Sequence, residues 1–154
     1  MADPHDPIRS FRPLRTARLV LLAVITLGIY CGHYAARQTR ALRDFLADEQ
    51  AGMLTAAARL VTMTGYVTLA CLALLLLAPL KGPVQLLCVV TWLSWSAFWL
   101  LSHAFWSLRF CQLLNDVRDC PPASSEWFDG SRAFLLPSLY LNHKLNLIAA
   151  RGRQ

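Results

Sequence analysis

Formal charges cut the chain into long apolar runs. Eighteen residues without a charge, 19–36, lie between Arg18 and Arg37. Arg59 and Lys81 enclose twenty-one, 60–80, and Lys81 and Arg109 enclose twenty-seven, 82–108. Arg132 and Lys144 enclose only eleven, 133–143. A helix rises about 1.5 Å per residue, so eighteen residues reach about 27 Å, close to the hydrocarbon thickness of a bilayer. The second and third runs cross with length left for tilt. The fourth is too short and contains Pro137, which predicts a short interfacial helix over 134–149. Strands are excluded, because open strand edges cannot sit in lipid and the runs lack the period-two alternation of a barrel. The pattern therefore predicts an all-α fold, an integral membrane helical bundle. It is built on a transmembrane hairpin of 60–80 and 84–108, closed by Pro79-Leu80-Lys81-Gly82-Pro83, where proline ends each helix and glycine permits the turn. The apolar N-terminal segment 19–36 either spans or re-enters.

The flanks complete a single membrane domain, 1–154. Residues 1–16 read as an irregular basic lead-in with Pro4, Pro7 and Pro13. The long apolar run after it has no small-residue cleavage site, so it is expected to be retained. In 37–59, Leu42, Phe45, Leu46 and Met53 recur at helical spacing, which predicts an amphipathic surface helix. Residues 109–132 read as a polar connection with Pro121-Pro122, and Trp127 and Phe128 stand where aromatic anchors are expected.

Composition supports the lipid-facing reading. Of 154 residues, 56% are hydrophobic and 16% charged, against about 25% charged in soluble domains. The net charge of +6 falls wholly outside the three long runs, with Arg9, Arg12, Arg15, Arg18, Arg37, Arg40 and Arg43 flanking the first. That points to anionic lipid headgroups and away from nucleic acid, for which a basic stripe with interleaved aromatics would be needed. Thirteen Arg against two Lys, with abundant Ala and Leu, suggest a GC-rich bacterial genome and hence a bacterial inner membrane. If all four runs cross, the basic residues split eight to seven and give no orientation. If only the second and third cross, they split fourteen to one. The second split places the Lys81 loop outward and both termini in the cytoplasm, but it requires 19–36 to enter and return. If the first three cross, four N-terminal Arg lie outside, which the same rule disfavours.

Cys31, Cys71, Cys88, Cys111 and Cys120 form no C-x-x-C. Their odd number and spacing argue against a disulfide framework or a metal site, although Cys111 and Cys120 flank a loop and could pair under oxidising conditions.

The stretch Thr26-Leu27-Gly28-Ile29-Tyr30, followed by Arg37 and Arg40, resembles the segment that marks the bacterial membrane family labelled domain of unknown function 4234. Leu141-Asn142-His143-Lys144-Leu145-Asn146 resembles that family's closing segment, where a polar residue precedes a Leu-Asn pair. This chain departs in having His33 and Tyr34 where the family pattern carries a Trp. The resemblance implies a small multi-helix membrane protein and no activity.

Few side chains offer chemistry. No Asp or Glu falls in 19–36, 60–80 or 82–108, which speaks against an ion-coupled transporter. No nucleophile triad, phosphate loop, dinucleotide fingerprint or H-E-x-x-H occurs, so no enzyme is expected. His33 and His103 would lie at similar depth if both their segments crossed, an arrangement suited to two axial haem ligands. The alternative is two interfacial histidines hydrogen-bonded to neighbours. Trp92, Trp95, Trp99 and Trp106 fall within about 60° of helical arc. Such a stripe either binds a lipid, quinone or aromatic ligand or packs structurally. Gly28 and Gly32, and Thr64, Thr68 and Cys71, are small faces suited to helix packing, and the glycines could equally supply a bend. The expected function is a non-enzymatic accessory or scaffold subunit associating with itself or a larger membrane complex. The alternatives are a haem-binding redox subunit and an oligomeric pore, for which Thr62, Thr64, Thr68 and Cys71 would supply only half of a polar stripe.

Overall fold

The computed structural model describes residues 7–11, 14–78 and 81–151. Arg12 and the Pro79-Leu80 part of the predicted hairpin turn lie outside them, as does the side chain of Arg9. A single 3-10 turn, Pro7–Ser10, precedes six helices: α1 (Thr16–Ile25), α2 (Ile29–Arg43), α3 (Asp48–Leu77), α4 (Pro83–Val117), α5 (Gly130–Leu135) and α6 (Pro137–Arg151). No strand occurs among the described residues.

Two helices, α3 and α4, are long and apolar enough to cross a membrane. At 30 and 35 residues they extend about 45 and 52 Å. They pack against each other along the largest interface in the fold. Pro83 opens α4, where its missing N–H costs nothing. The two ends of this hairpin differ in kind. At the base, Ala51, Leu54, Ala58 and Val61 recur at three- and four-residue spacing and are buried, as are Trp106, Phe110 and Leu114 of α4. All of these except Ala51 join Leu42, Phe128, Leu141 and Leu145 in one core, which we call the head. Toward the tip the same helices turn apolar side chains outward, among them Leu76, Leu77, Leu86 and Leu87. None of the most apolar stretch of α4 is buried.

The segment 19–36 is not one helix. α1 ends at Ile25, and the chain reverses through Thr26, Leu27 and Gly28, with φ of +48° at Leu27 and +89° at Gly28. The Gly28 N–H donates to the Ala23 carbonyl and the Leu27 N–H to the Val24 carbonyl, the bond pair of a Schellman motif. The Thr26 hydroxyl donates to the Leu22 carbonyl and accepts from the Tyr30 N–H, tying the end of α1 to the start of α2. Both ends of the segment return to the head. The Leu14 carbonyl, just before α1, accepts from Asn142 and Asn146 of α6, and Leu42 near the end of α2 is wholly buried.

Residues 37–59, read from the sequence as one surface helix, are divided between the end of α2 and the first turns of α3. Leu42 enters the core, Phe45 and Leu46 are half-buried and Met53 is exposed. The stretch 109–132 is helical to Val117, because Phe110, Leu113 and Leu114 continue the buried stripe of α4. A second Schellman motif at Asp119 (φ +45°) ends that helix. The predicted 134–149 helix is two, with Pro137 opening α6 after the break.

Candidate functional site

The site begins with two glycines. Gly28 at the α1–α2 bend and Gly65 on α3 both lie under the indole of Trp99. A Cβ on Gly28 would meet Trp99 Cη2 at 2.7 Å, and one on Gly65 would meet Trp99 Nε1 at 3.1 Å. Gly32, one turn further along α2, lies so close to α3 that a Cβ would stand 2.9 Å from Thr62 Cα. Small residues thus bring three helices together at one level. Above the bend the hairpin diverges from the end of α1, leaving a cavity of about 430 Å³ whose walls include Val24, Leu27, Thr68, Leu72, Trp92 and Trp99.

The lining is apolar apart from Thr68, Ser96 and the indoles of Trp92 and Trp99, and most hydroxyls of α3 and α4 are satisfied within their own helix. Thr62, Thr64, Ser94, Ser96 and Ser102 each return their hydroxyl to a carbonyl four residues back. Thr68 does not: its buried Oγ1 has no hydrogen-bond partner, and neither do the buried indole nitrogens of Trp92 and Trp99.

The four tryptophans read as one stripe take different places. Trp92 and Trp99 line the cavity. Trp95 sits edge-on to Phe98. Trp106 is wholly buried in the head, where its indole N–H donates to Thr39 Oγ1 at 2.9 Å. The two histidines also part. His33 is exposed and its Nε2 lies 2.9 Å from the Tyr66 hydroxyl. His103 is buried between Trp99 and Trp106, and its Nε2 lies 2.8 Å from Ser138 Oγ. Each imidazole thus has its own polar partner on a different helix. No group of three or more His, Cys, Asp or Glu side chains converges among the described residues.

The small faces are occupied within the chain. Gly28 and Gly32 meet Trp99 and Thr62, Thr64 is buried against α3's own carbonyls, and Thr68 and Cys71 are half-buried. All five cysteines are free thiols. Arg15, Arg18, Arg40 and Arg43 are exposed; Arg37 is half-buried, with its guanidinium 5.7 Å from the Tyr34 ring centre.

Sequence reasoning missed the polar clamps of the head. Asn115 accepts from the Phe128 N–H and donates to the Phe128 carbonyl, at 2.9 and 3.0 Å. Asn142 and Asn146, one helical turn apart on α6, both donate to the Leu14 carbonyl. Their signal was the i, i+4 spacing of the two Asn beside the apolar Leu141 and Leu145. Asp129 caps α5 by accepting from the Ser131 N–H. The Ser131 side chain, first, and the backbone N–H groups of the helix start hold its carboxyl below the usual carboxylate range. Arg118 pairs with Glu126 across the 118–129 loop. The chain matches no family model, and no curated protein or solved structure is significantly similar to it.

Proposed function

We propose that this chain is a small, non-enzymatic accessory or scaffold protein of a bacterial inner membrane. α3 and α4 span the bilayer as a hairpin, and the α1–α2 pair re-enters from the cytoplasmic face. The head lies at that face, the Lys81 loop is outward and both termini are cytoplasmic. One observation carries the reading: along the outer halves of α3 and α4 large apolar side chains face outward turn after turn, among them Leu74, Leu76, Leu77, Val84, Leu86 and Leu87. Among the described residues little covers the outer halves of α3 and α4, and a bilayer supplies the missing apolar surroundings.

Two further features support it. A bent segment one, with both ends at the head, is compatible with the fourteen-to-one split of basic residues. The chemistry-bearing side chains of the head are engaged in holding helices together: Trp106 on Thr39, His103 on Ser138, Asn115 on Phe128. That use suits a rigid platform for a larger assembly. Any partner meets the outer faces of the hairpin, since Gly28 and Gly32 are already covered.

The placement is tested with a topology reporter fused after Arg18, after Lys81 and at the C-terminus. Activity outside the cytoplasm is expected at Lys81 alone; an external reading after Arg18 overturns the re-entrant placement. The accessory role is tested by native mass spectrometry of the tagged protein extracted from its own host. A second protein at fixed stoichiometry is expected, and a bare monomer contradicts the role.

A further inference from the structure

We propose that the groove between the foot of α1 and the α5–α6 elbow binds one anionic phospholipid, with its phosphate on Arg132 and His143 and an acyl chain on Leu135, Leu136 and Leu139. The site deepens the two-span placement above and rests on it.

The break before Pro137 creates the groove. Pro137 has no N–H with which to continue α5, so the chain turns at Leu136 and α6 starts afresh. The elbow leaves Leu135 and Leu136 pointing outward, 74% and 57% exposed. Together with Leu139 and with Thr16 at the start of α1, these leucines line a groove of about 350 Å³ that has Arg132 and His143 in its wall. That volume lies within the range of about 300–1,000 Å³ of ligand pockets. The walls are held before any ligand arrives. The Tyr140 hydroxyl accepts from the Asp129 N–H, fixing the start of α5 on α6, and Asn142 donates to Thr16 Oγ1, fixing α6 on α1. The groove opens on the surface of the head, since Arg132, Leu135, Leu136 and His143 are all exposed.

Charge and position select the occupant. The Arg132 side chain is 75% exposed, and Arg15 and Arg18, on either side of Thr16, are exposed as well. Asp129 is the carboxylate paired with this set. It lies 3.5 Å from Arg132 Nε and already accepts from the Ser131 N–H and hydroxyl. Three guanidiniums against one carboxylate leave a positive surface, and a guanidinium meets phosphate oxygens in a two-bond fork. The leucine floor gives a free anion nothing to hold, whereas an acyl chain covers it. Val20, one turn on from Thr16, and then Leu21, Val24 and Ile25 are also exposed. Apolar surface therefore continues from the foot of α1 along the segment placed in the bilayer. The groove stands where α1 leaves the head, at the level where lipid phosphates meet the chains beneath them.

The test titrates the full chain in dodecylmaltoside with phosphatidylglycerol or with phosphatidylcholine, followed by native mass spectrometry. One phosphatidylglycerol per chain, retained about fivefold or more above phosphatidylcholine, is expected. Arg132→Gln should weaken that retention about fivefold, the worth of one basic side chain at an anionic lipid surface. Leu135→Asp places a carboxylate at an exposed position of the groove and should abolish the preference, with circular dichroism unchanged. Arg59→Gln removes the same charge from α3, which lines no part of the groove, and should leave retention as it was. Equal retention of the two lipids overturns the site. So does an equal loss in Arg132→Gln and Arg59→Gln, or release of the lipid by millimolar inorganic phosphate. Incorporation into phosphatidylcholine nanodiscs tests the placement without involving the groove. A chain that fails to incorporate refutes the two-span placement and the site with it; one that incorporates but shows no preference refutes the site alone.

Discussion

Gly28→Ala separates the α1–α2 bend from every other glycine effect in the chain. At φ +89° an L side chain is strained, at a cost of about 1–2 kcal/mol. The new methyl would also stand 2.7 Å from Trp99 Cη2. That ring is already pressed over Gly65, so it must shift or the bend must open, and overpacking of this kind costs about 1–3 kcal/mol. The sum is about 2–5 kcal/mol, a large share of the 5–15 kcal/mol typical of a folded domain. Gly52→Ala is the matched control. Gly52 lies inside α3 with open space where its Cβ would go, so alanine there should stabilise by about 1 kcal/mol through helix propensity alone. The two variants change the same atoms, and the expected gap between them is about 3–6 kcal/mol. Unfolding of the purified chain in mild detergent, followed by circular dichroism, measures it. If Gly28→Ala unfolds together with Gly52→Ala or after it, the bend is not held by the left-handed turn under Trp99 and the argument is wrong.

Asn115→Leu should destabilise the head by about 2–6 kcal/mol, since it strips the Phe128 N–H and carbonyl of their shared partner; denaturant unfolding followed by near-ultraviolet circular dichroism checks it. Asp119→Gly should stabilise by about 1 kcal/mol, because glycine takes φ +45° without strain; a lower midpoint than wild type would contradict the Schellman assignment. Replacing Asn142 and Asn146 together by Leu should cost about 1–3 kcal/mol and loosen α1 first, seen as faster amide exchange in Thr16–Ile25 while α3 is unchanged. The Asp129 carboxyl titrates below its unfolded value, so its support of α5 is complete above the usual carboxylate range and fades as pH falls through the lowered value. Amide exchange at Ser131 and Arg132 should rise on acidification, and Asp129→Asn should remove that dependence.

What the sequence revealed divides by the kind of force involved. The outer halves of α3 and α4 were legible because a helix long and apolar enough to cross a membrane asks only for an uninterrupted apolar run, and charges mark its ends. The head was not, because its core borrows residues from runs that look alike. Phe110 and Leu114 belong to the stretch read as a polar connection, and their partners Leu42 and Leu141 come from distant segments. The break at Thr26–Gly28 was half legible: the glycines showed that a bend was available, but the hydrogen bonds that commit the chain to it involve backbone carbonyls of Leu22, Ala23 and Val24 that no residue pattern announces. The tryptophan stripe misled for a related reason. Its common arc holds along one helix, yet that helix crosses from head to hairpin, so Trp106 packs in a protein core while Trp92 faces the cavity.

The charge count and the bend bear on the same question by unrelated routes. Counting Arg and Lys favours a segment one that starts and ends on one side, and that argument uses no geometry. The bend is fixed by local backbone chemistry, and that argument uses no charges. Their agreement has a consequence for the cavity. Val24 and Leu27 form one of its walls, and they reach Thr68 and Trp92 only because α1 stops at Ile25 and the chain turns back. A straight helix through residues 16–43 would carry Leu27 in line with α2 and leave the indoles of Trp92 and Trp99 uncovered on that side. The same left-handed turn that keeps both ends of segment one at the head therefore also supplies one wall of the cavity.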